Sequence, residues 1–191
     1  MNNDQNVSSK QKLVILTGPD MCGKTNIIEE LQRRTGIPTF KARVQREFFT
    51  GDRSNFLPFL RYGETTVLDM VEQTGQSVLF DRLWPCEWVY SRCFGRDTDH
   101  DVLRRLDARY AALDALIVVC HRSSYVGIVD NDDPSVKQAT LELLDVLYRD
   151  FAAQAQTRVE FLNVDDEDLE REVTQILWWM GHPGTNDQPK V

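Results

Sequence analysis

The 191-residue sequence predicts an α/β fold: a five-stranded parallel sheet with helices on both faces. Two observations carry that expectation. Short apolar runs alternate with segments of helical periodicity along the whole chain. The first run, Leu13-Val14-Ile15-Leu16, also leads into Gly18-Pro19-Asp20-Met21-Cys22-Gly23-Lys24-Thr25, a complete phosphate-binding P-loop pattern. The spacing assigns residues 1–181 to a single domain and residues 182–191 to a flexible polar tail.

Taken in order, residues 13–17 read as a buried strand. Residues 25–35 read as a helix, with Ile27, Ile28 and Leu31 inward and Gly36 closing it. A short strand follows near residues 37–41, then an irregular stretch to 58 punctuated by Gly51 and Pro58. Residues 61–73 carry Val67, Leu68 and Val71 at helical spacing before Gly75. Residues 77–80 form a strand that delivers Asp81 and Arg82 to its carboxyl end. Helical patterns cover residues 87–94 and 101–113, the second bringing Leu103, Leu106, Tyr110 and Leu113 to one side. Another buried strand spans 116–120. A polar loop at 123–133 precedes a long helix from Pro134 to about Gln156, with Asp133 as its cap. A strand at 159–164 and a helix at 168–180 complete the pattern. In such a sheet ligands bind beyond the carboxyl ends of the strands, so the P-loop and Asp81-Arg82 should become neighbours.

Composition narrows the setting. The residues before Lys12 are polar, with no apolar core of a signal peptide, and no apolar run is long enough to span a bilayer. Four cysteines without CxxC spacing and three scattered histidines argue against a disulfide framework or a zinc site, so a cytoplasmic protein is expected. Cys22 stands at a helix N-terminus, which favours thiolate, although a small loop residue is the simpler reading. The net charge of −8 argues against general DNA coating, yet it is uneven. Between Arg33 and Arg61 seven basic residues face two acidic ones, a local +5 against −13 elsewhere. That stretch also carries Phe40, Phe48, Phe49, Phe56 and Phe59, which suits an acceptor bearing both phosphate and base. It equally suits a solvated face beside core phenylalanines.

The residues of the P-loop define a narrow chemistry. Main-chain N–H groups of residues 18–25 and the helix dipole cradle a nucleotide's phosphates, Lys24 neutralises their charge, and the Thr25 hydroxyl reaches Mg²⁺. Asp81 can support the metal through water or accept a proton from an attacking hydroxyl. Arg82 can grip an acceptor or transferring phosphate as a bidentate fork. Together these residues point to phosphoryl transfer from ATP with Mg²⁺.

With these motifs in place, the chain resembles the thymidylate kinase-like P-loop kinases, over most of its length. Asp20, the acid at the third position of the P-loop, is implied to contact the acceptor sugar. Gly75-Gln76-Ser77-Val78-Leu79-Phe80-Asp81-Arg82 is similar to the family's G-x-x-V-I-x-D-R strand. Phe56-Leu57-Pro58-Phe59-Leu60-Arg61 resembles the segment that stacks on the acceptor base and holds its phosphate. Tyr90, nine residues after Asp81, falls where the family places a tyrosine near the base. The chain also departs from the family. Lys41-Ala42-Arg43-Val44-Gln45-Arg46 replaces the acceptor loop after the second strand, leaving Arg43 and Arg46 as candidate acceptor contacts. The 123–133 loop has no arginine and holds Asp130, Asp132 and Asp133, so Arg122 is the nearest lid residue.

The resemblance implies the P-loop kinase fold and two possible acceptors. One is a free (deoxy)nucleoside or its monophosphate. The other is a hydroxymethyl base within DNA, as in the phage 5-hydroxymethyluracil DNA kinases, which would place the protein in a host cytoplasm. A P-loop switch that hydrolyses nucleotide without an acceptor is the alternative, although no N-K-x-D guanine signature is present. The aromatic-rich 83–94 segment, with Trp84, Trp88, Tyr90 and Phe94, suits either a base pocket or a homodimer face.

Overall fold

The computed structural model describes residues 11–41, 59–128 and 136–182, with the side chains of residues 59–61 outside that description. Its centre is a five-stranded, all-parallel sheet in the spatial order β2-β3-β1-β4-β5. The strands are β1 (Leu13–Thr17), β2 (Thr39–Lys41), β3 (Val78–Asp81), β4 (Leu116–His121) and β5 (Arg158–Asn163). The helices are α1 (Lys24–Thr35), α2 (Thr65–Thr74), α3 (Trp84–Cys93), α4 (His100–Ala112), α5 (Gln138–Ala152) and α6 (Leu169–Gly181).

Central strand β1 is buried along its whole length, which explains its uninterrupted apolar sequence. Its register sets Leu16 beside both Asp81 of β3 and Val118 of β4. The carboxyl ends of three strands therefore share one edge. Helix α1 packs Ile27, Ile28 and Leu31 against the sheet, and Gly36 ends it in the left-handed conformation. On the other side, Phe151 of α5 meets the edges of Trp84 and Trp88 of α3, both pairs at 5.3 Å. Trp179 of α6 is buried, while Trp178 stacks on His182 at 4.7 Å.

Three element boundaries differ from the sequence reading. The helix expected from residue 61 opens with a π-helical turn, Phe59–Glu64, before α2 begins. Helix α3 starts at Trp84, three residues earlier than expected, because Pro85 suits a first turn. Helix α5 starts at Gln138 with Lys137 in the cap position, and the expected opening at Asp133 and Pro134 lies outside the described residues. The buried face of α5 runs Leu141, Leu144, Tyr148 and Phe151, and packing rather than capping chemistry sets where the helix begins.

Candidate nucleotide and acceptor site

The P-loop leaves β1 through backbone that only particular residues tolerate. Gly18 has φ +128°, and a Cβ there would overlap the Cys120 carbonyl oxygen at the end of β4. Glycine is thus required both by conformation and by close approach. Gly23 has φ +61° and its carbonyl accepts from Asn26 N at 3.1 Å and Ile27 N at 3.3 Å, which opens α1. Before the loop, buried Thr17 ties β1 to two helices, its hydroxyl lying 2.8 Å from Tyr148 Oη and 3.1 Å from Cys86 Sγ.

Lys24 is buried, and its ammonium donates to the Pro19 carbonyl across the loop. Burial, reinforced by the nearby Arg82 guanidinium, lowers its pKa, so an anion in the loop would restore a preferred partner. Cys22 is fully buried and burial raises its pKa, opposite to the effect of a helix N-terminus. It is a core residue of the loop and no reactive thiolate.

The turn after β3 carries the second group. Arg82 adopts φ +60°, unusual for a side-chain-bearing residue. Its backbone N–H donates to Leu16 O at 2.9 Å, anchoring the turn to β1. From there its guanidinium donates to Asp20 in the P-loop and, at 3.2 Å, to Tyr90 Oη of α3. Tyr90 in turn donates to Asp20 Oδ2 at 2.9 Å, closing a triangle of three sequence-distant residues. Arg82 thus bonds to both Asp20 and Tyr90. Asp81, at the tip of β3, has Lys41 Nζ 4.0 Å away, and Lys41 also approaches Glu29 at 3.8 Å. The sequence places Lys41 in the basic stretch and at the head of the segment that replaces the acceptor loop, without a role of its own. Its register opposite Asp81 on edge strand β2 makes it a site residue, and pairing of β2 with β3 was the signal available.

Two clefts meet at the loop. One of about 440 Å³ is bordered by Asp20, Lys24, Thr25, Lys41, Asp81 and Arg82. The other, about 810 Å³, lies between the loops after β4 and β5 and includes Arg122, Ser124, Asp165 and Glu167. Met21, Gly23 and Asn26 border both, so the P-loop is the wall between them. Arg122 donates to the Met21 carbonyl at 3.3 Å and pairs with Glu167 at 2.8 Å. Asp165 accepts from Ser123 N and Asn163 Nδ2, both at 2.9 Å, which locks the two loops together, and the Ser123 hydroxyl, then the Asn163 amide, lower its pKa. Ser124, Asp165 and Glu167 were not anticipated from the sequence: Ser124 comes to the P-loop through the β1–β4 pairing, and Asp165 and Glu167 through the further pairing of β5 with β4.

Some expected site residues fall elsewhere. Arg43, Arg46 and Phe56 lie outside the described residues, as do Asp130, Asp132 and Asp133; Phe59 and Arg61 sit on the π-helical turn. The basic stretch is already partly neutralised where it is described: Arg33 pairs with Glu30, and Arg34 with Glu30 and Glu170. Among the described residues no cluster of three metal-ligating side chains occurs, and no helix is long and apolar enough to cross a membrane.

The AAA domain family matches residues 13–171, which is most of the chain. The protein belongs to that family. This AAA domain also resembles solved structures at low identity, and the likeness is one of fold. The YorR protein from Bacillus subtilis, solved with phosphorylated GDP, is 19% identical with a TM-score of 0.66, covering 87% of this chain and 94% of that one. Thymidylate kinase from Ehrlichia chaffeensis is 13% identical with a TM-score of 0.60, covering 89% and 98%. Deoxyadenosine kinase from M. mycoides, solved with dCMP and dCDP, is 17% identical with a TM-score of 0.53, covering 88% and 98%. No curated protein matches the sequence. The AAA domain thus has the P-loop kinase fold, like the thymidylate kinase structure it resembles over 89% of its length.

Proposed function

We propose that this chain is an ATP-dependent phosphotransferase acting on a deoxynucleotide-type acceptor. One observation carries the reading: Arg82 and Tyr90 converge on Asp20, inside the P-loop, beside Lys24 and Thr25. A loop that only bound and hydrolysed nucleotide would not need a polar triangle on the side away from the donor-base cleft. The acceptor is a (deoxy)nucleoside, its monophosphate, or a hydroxymethylpyrimidine within DNA.

In this reading ATP lies with its base in the larger cleft, near Arg122, and its phosphates against the P-loop amides and Lys24. The acceptor enters the smaller cleft, where Asp20, oriented by Arg82 and Tyr90, accepts a hydrogen bond from an acceptor hydroxyl. The acceptor oxygen attacks the γ-phosphorus, the bond to the bridging oxygen breaks, and ADP leaves. Asp81 takes the hydroxyl proton. Thr25 and Asp81 border the same cleft and would be the oxygen donors that hold Mg²⁺ there. Bound there, Mg²⁺ would offset phosphate charge.

The test is transfer of label from γ-labelled ATP to nucleosides, monophosphates and hydroxymethylated DNA assayed in parallel. Label should enter one acceptor class and vanish in Lys24→Ala, which should remain folded. ATP turnover indifferent to every acceptor would instead favour a P-loop switch. A polynucleotide acceptor would show binding that weakens steeply with salt, a mononucleotide only a shallow slope.

A further inference from the structure

Among the described residues three cations border the smaller cleft: Lys24, Arg82 and Lys41. The first two are tied down. Lys24 donates to the Pro19 carbonyl within the P-loop, and Arg82 donates to Asp20 and Tyr90. Lys41 is held more loosely. Its ammonium lies 4.0 Å from Asp81 and 3.8 Å from Glu29, both beyond hydrogen-bonding distance, and its side chain is one-third exposed. Ion pairs of that length near the surface contribute little, so a phosphate displaces them readily.

The sheet edge sets this lysine beside the reacting end of a nucleotide. Leu16 pairs with Asp81 and Asp81 with Lys41, so the order across the edge is P-loop strand, Asp81, Lys41. Adjacent strands lie about 4.8 Å apart, which puts Lys41 roughly 10 Å from the strand that feeds the P-loop. Phosphoryl transfer spreads negative charge over the equatorial oxygens of the group in flight, and a cation facing them lowers the barrier. The loop after β4 carries no such cation in its sequence: residues 123–133 hold neither lysine nor arginine. Arg122, just before them, bonds to the Met21 carbonyl and Glu167 beside the larger cleft.

We propose that Lys41 is a further catalytic residue, one that binds the transferring phosphoryl group. The inference rests on the phosphotransferase reading above. As the acceptor oxygen bonds to the γ-phosphorus and the bond to the bridging oxygen breaks, the Lys41 ammonium turns from Asp81 and donates to the equatorial phosphoryl oxygens. It keeps all its protons, and the acceptor's proton goes to Asp81.

The experiment measures label transfer from γ-labelled ATP to the acceptor that the wild-type chain uses, together with ATP hydrolysis in the absence of acceptor. Lys41→Ala should lower the transfer kcat about 10²-fold, with KM for ATP and for acceptor within about threefold of wild type. Lys41→Arg should retain at least about a tenth of kcat, and added ethylammonium should raise the Lys41→Ala rate about tenfold, because the charge is what matters. If Lys41→Ala does not fold, Lys41→Met keeps the apolar stem without the charge and takes its place. A kcat loss under about tenfold overturns the proposal. So does a loss confined to the acceptor KM, which would make Lys41 a holder of acceptor phosphate. A loss that neither Lys41→Arg nor ethylammonium mends overturns it as well. If the wild-type chain hydrolyses ATP but phosphorylates no acceptor, the phosphotransferase reading falls and the hydrolysis rate decides on Lys41: a tenfold loss in Lys41→Ala supports it, and an unchanged rate overturns it. A wild-type chain inert toward ATP overturns both.

Discussion

The two glycines that frame the P-loop allow a matched stability test. Both adopt positive φ, +128° at Gly18 and +61° at Gly23, but their surroundings differ. At Gly23 a Cβ would meet nothing within 4 Å. Gly23→Ala therefore costs only the left-handed backbone, about 1 kcal/mol. At Gly18 the conformation belongs to a region essentially reserved for glycine, worth about 1–3 kcal/mol. The added methyl would also overlap the Cys120 carbonyl oxygen and come within 3.1 Å of that residue's carbonyl carbon and nitrogen. The obstacle is backbone of buried strand β4, which cannot swing aside like a side-chain tip. Relief requires the loop to move away from the sheet, an overpacking cost of about 1–3 kcal/mol. The sum for Gly18→Ala is about 2–6 kcal/mol. For a chain of this size each kcal/mol lowers Tm by about 2–4 °C. Thermal melts followed by circular dichroism should place Gly23→Ala about 2–4 °C below wild type and Gly18→Ala about 4–24 °C below. Equal melting temperatures for the two variants would refute the claim that the loop is pressed onto β4.

Further predictions probe the site and its supports. Asp81→Asn should lower phosphoryl-transfer kcat by about 10²-fold or more while leaving ATP affinity nearly unchanged; equal losses in both would refute the proton-accepting role and leave Asp81 with the metal-holding role alone. Glu64, buried where it accepts the Trp84 backbone N–H, has its pKa pushed up to about 8 by burial, from 4.5. The native state therefore holds a proton that the unfolded chain releases, and stability should fall as pH rises from 4.5 to 8, by up to about 1.4 kcal/mol per unit. Glu64→Gln should flatten that slope in denaturant titrations, and an unaltered slope would assign it to other groups. Asp107→Ala should cost about 2–4 kcal/mol in chemical denaturation, because the Gln156 and Thr157 amides lose their acceptor.

Sequence and tertiary structure divided the information unevenly. Strand and helix order was legible because apolar runs and helical periodicity report burial directly. The P-loop was legible because Gly18, Gly23, Lys24 and Thr25 are contiguous and each has a local backbone or charge requirement. The ends of α2 and α5 were not, because a π-helical turn and a packing-determined start leave no local cap signature. The Asp20–Arg82–Tyr90 triangle could be anticipated as a neighbourhood but not as a bonded unit. Its geometry depends on the left-handed turn at Arg82 and the β1–β3 register, which few local residues encode. Lys41 gained its place beside Asp81 only through pairing of the edge strand, and Asp165 its place by Ser123 only through pairing of β4 with β5. Chemistry concentrated in one loop can be read along the chain. Chemistry assembled across a sheet edge appears only once hydrogen-bonded strand pairing has chosen which distant residues meet.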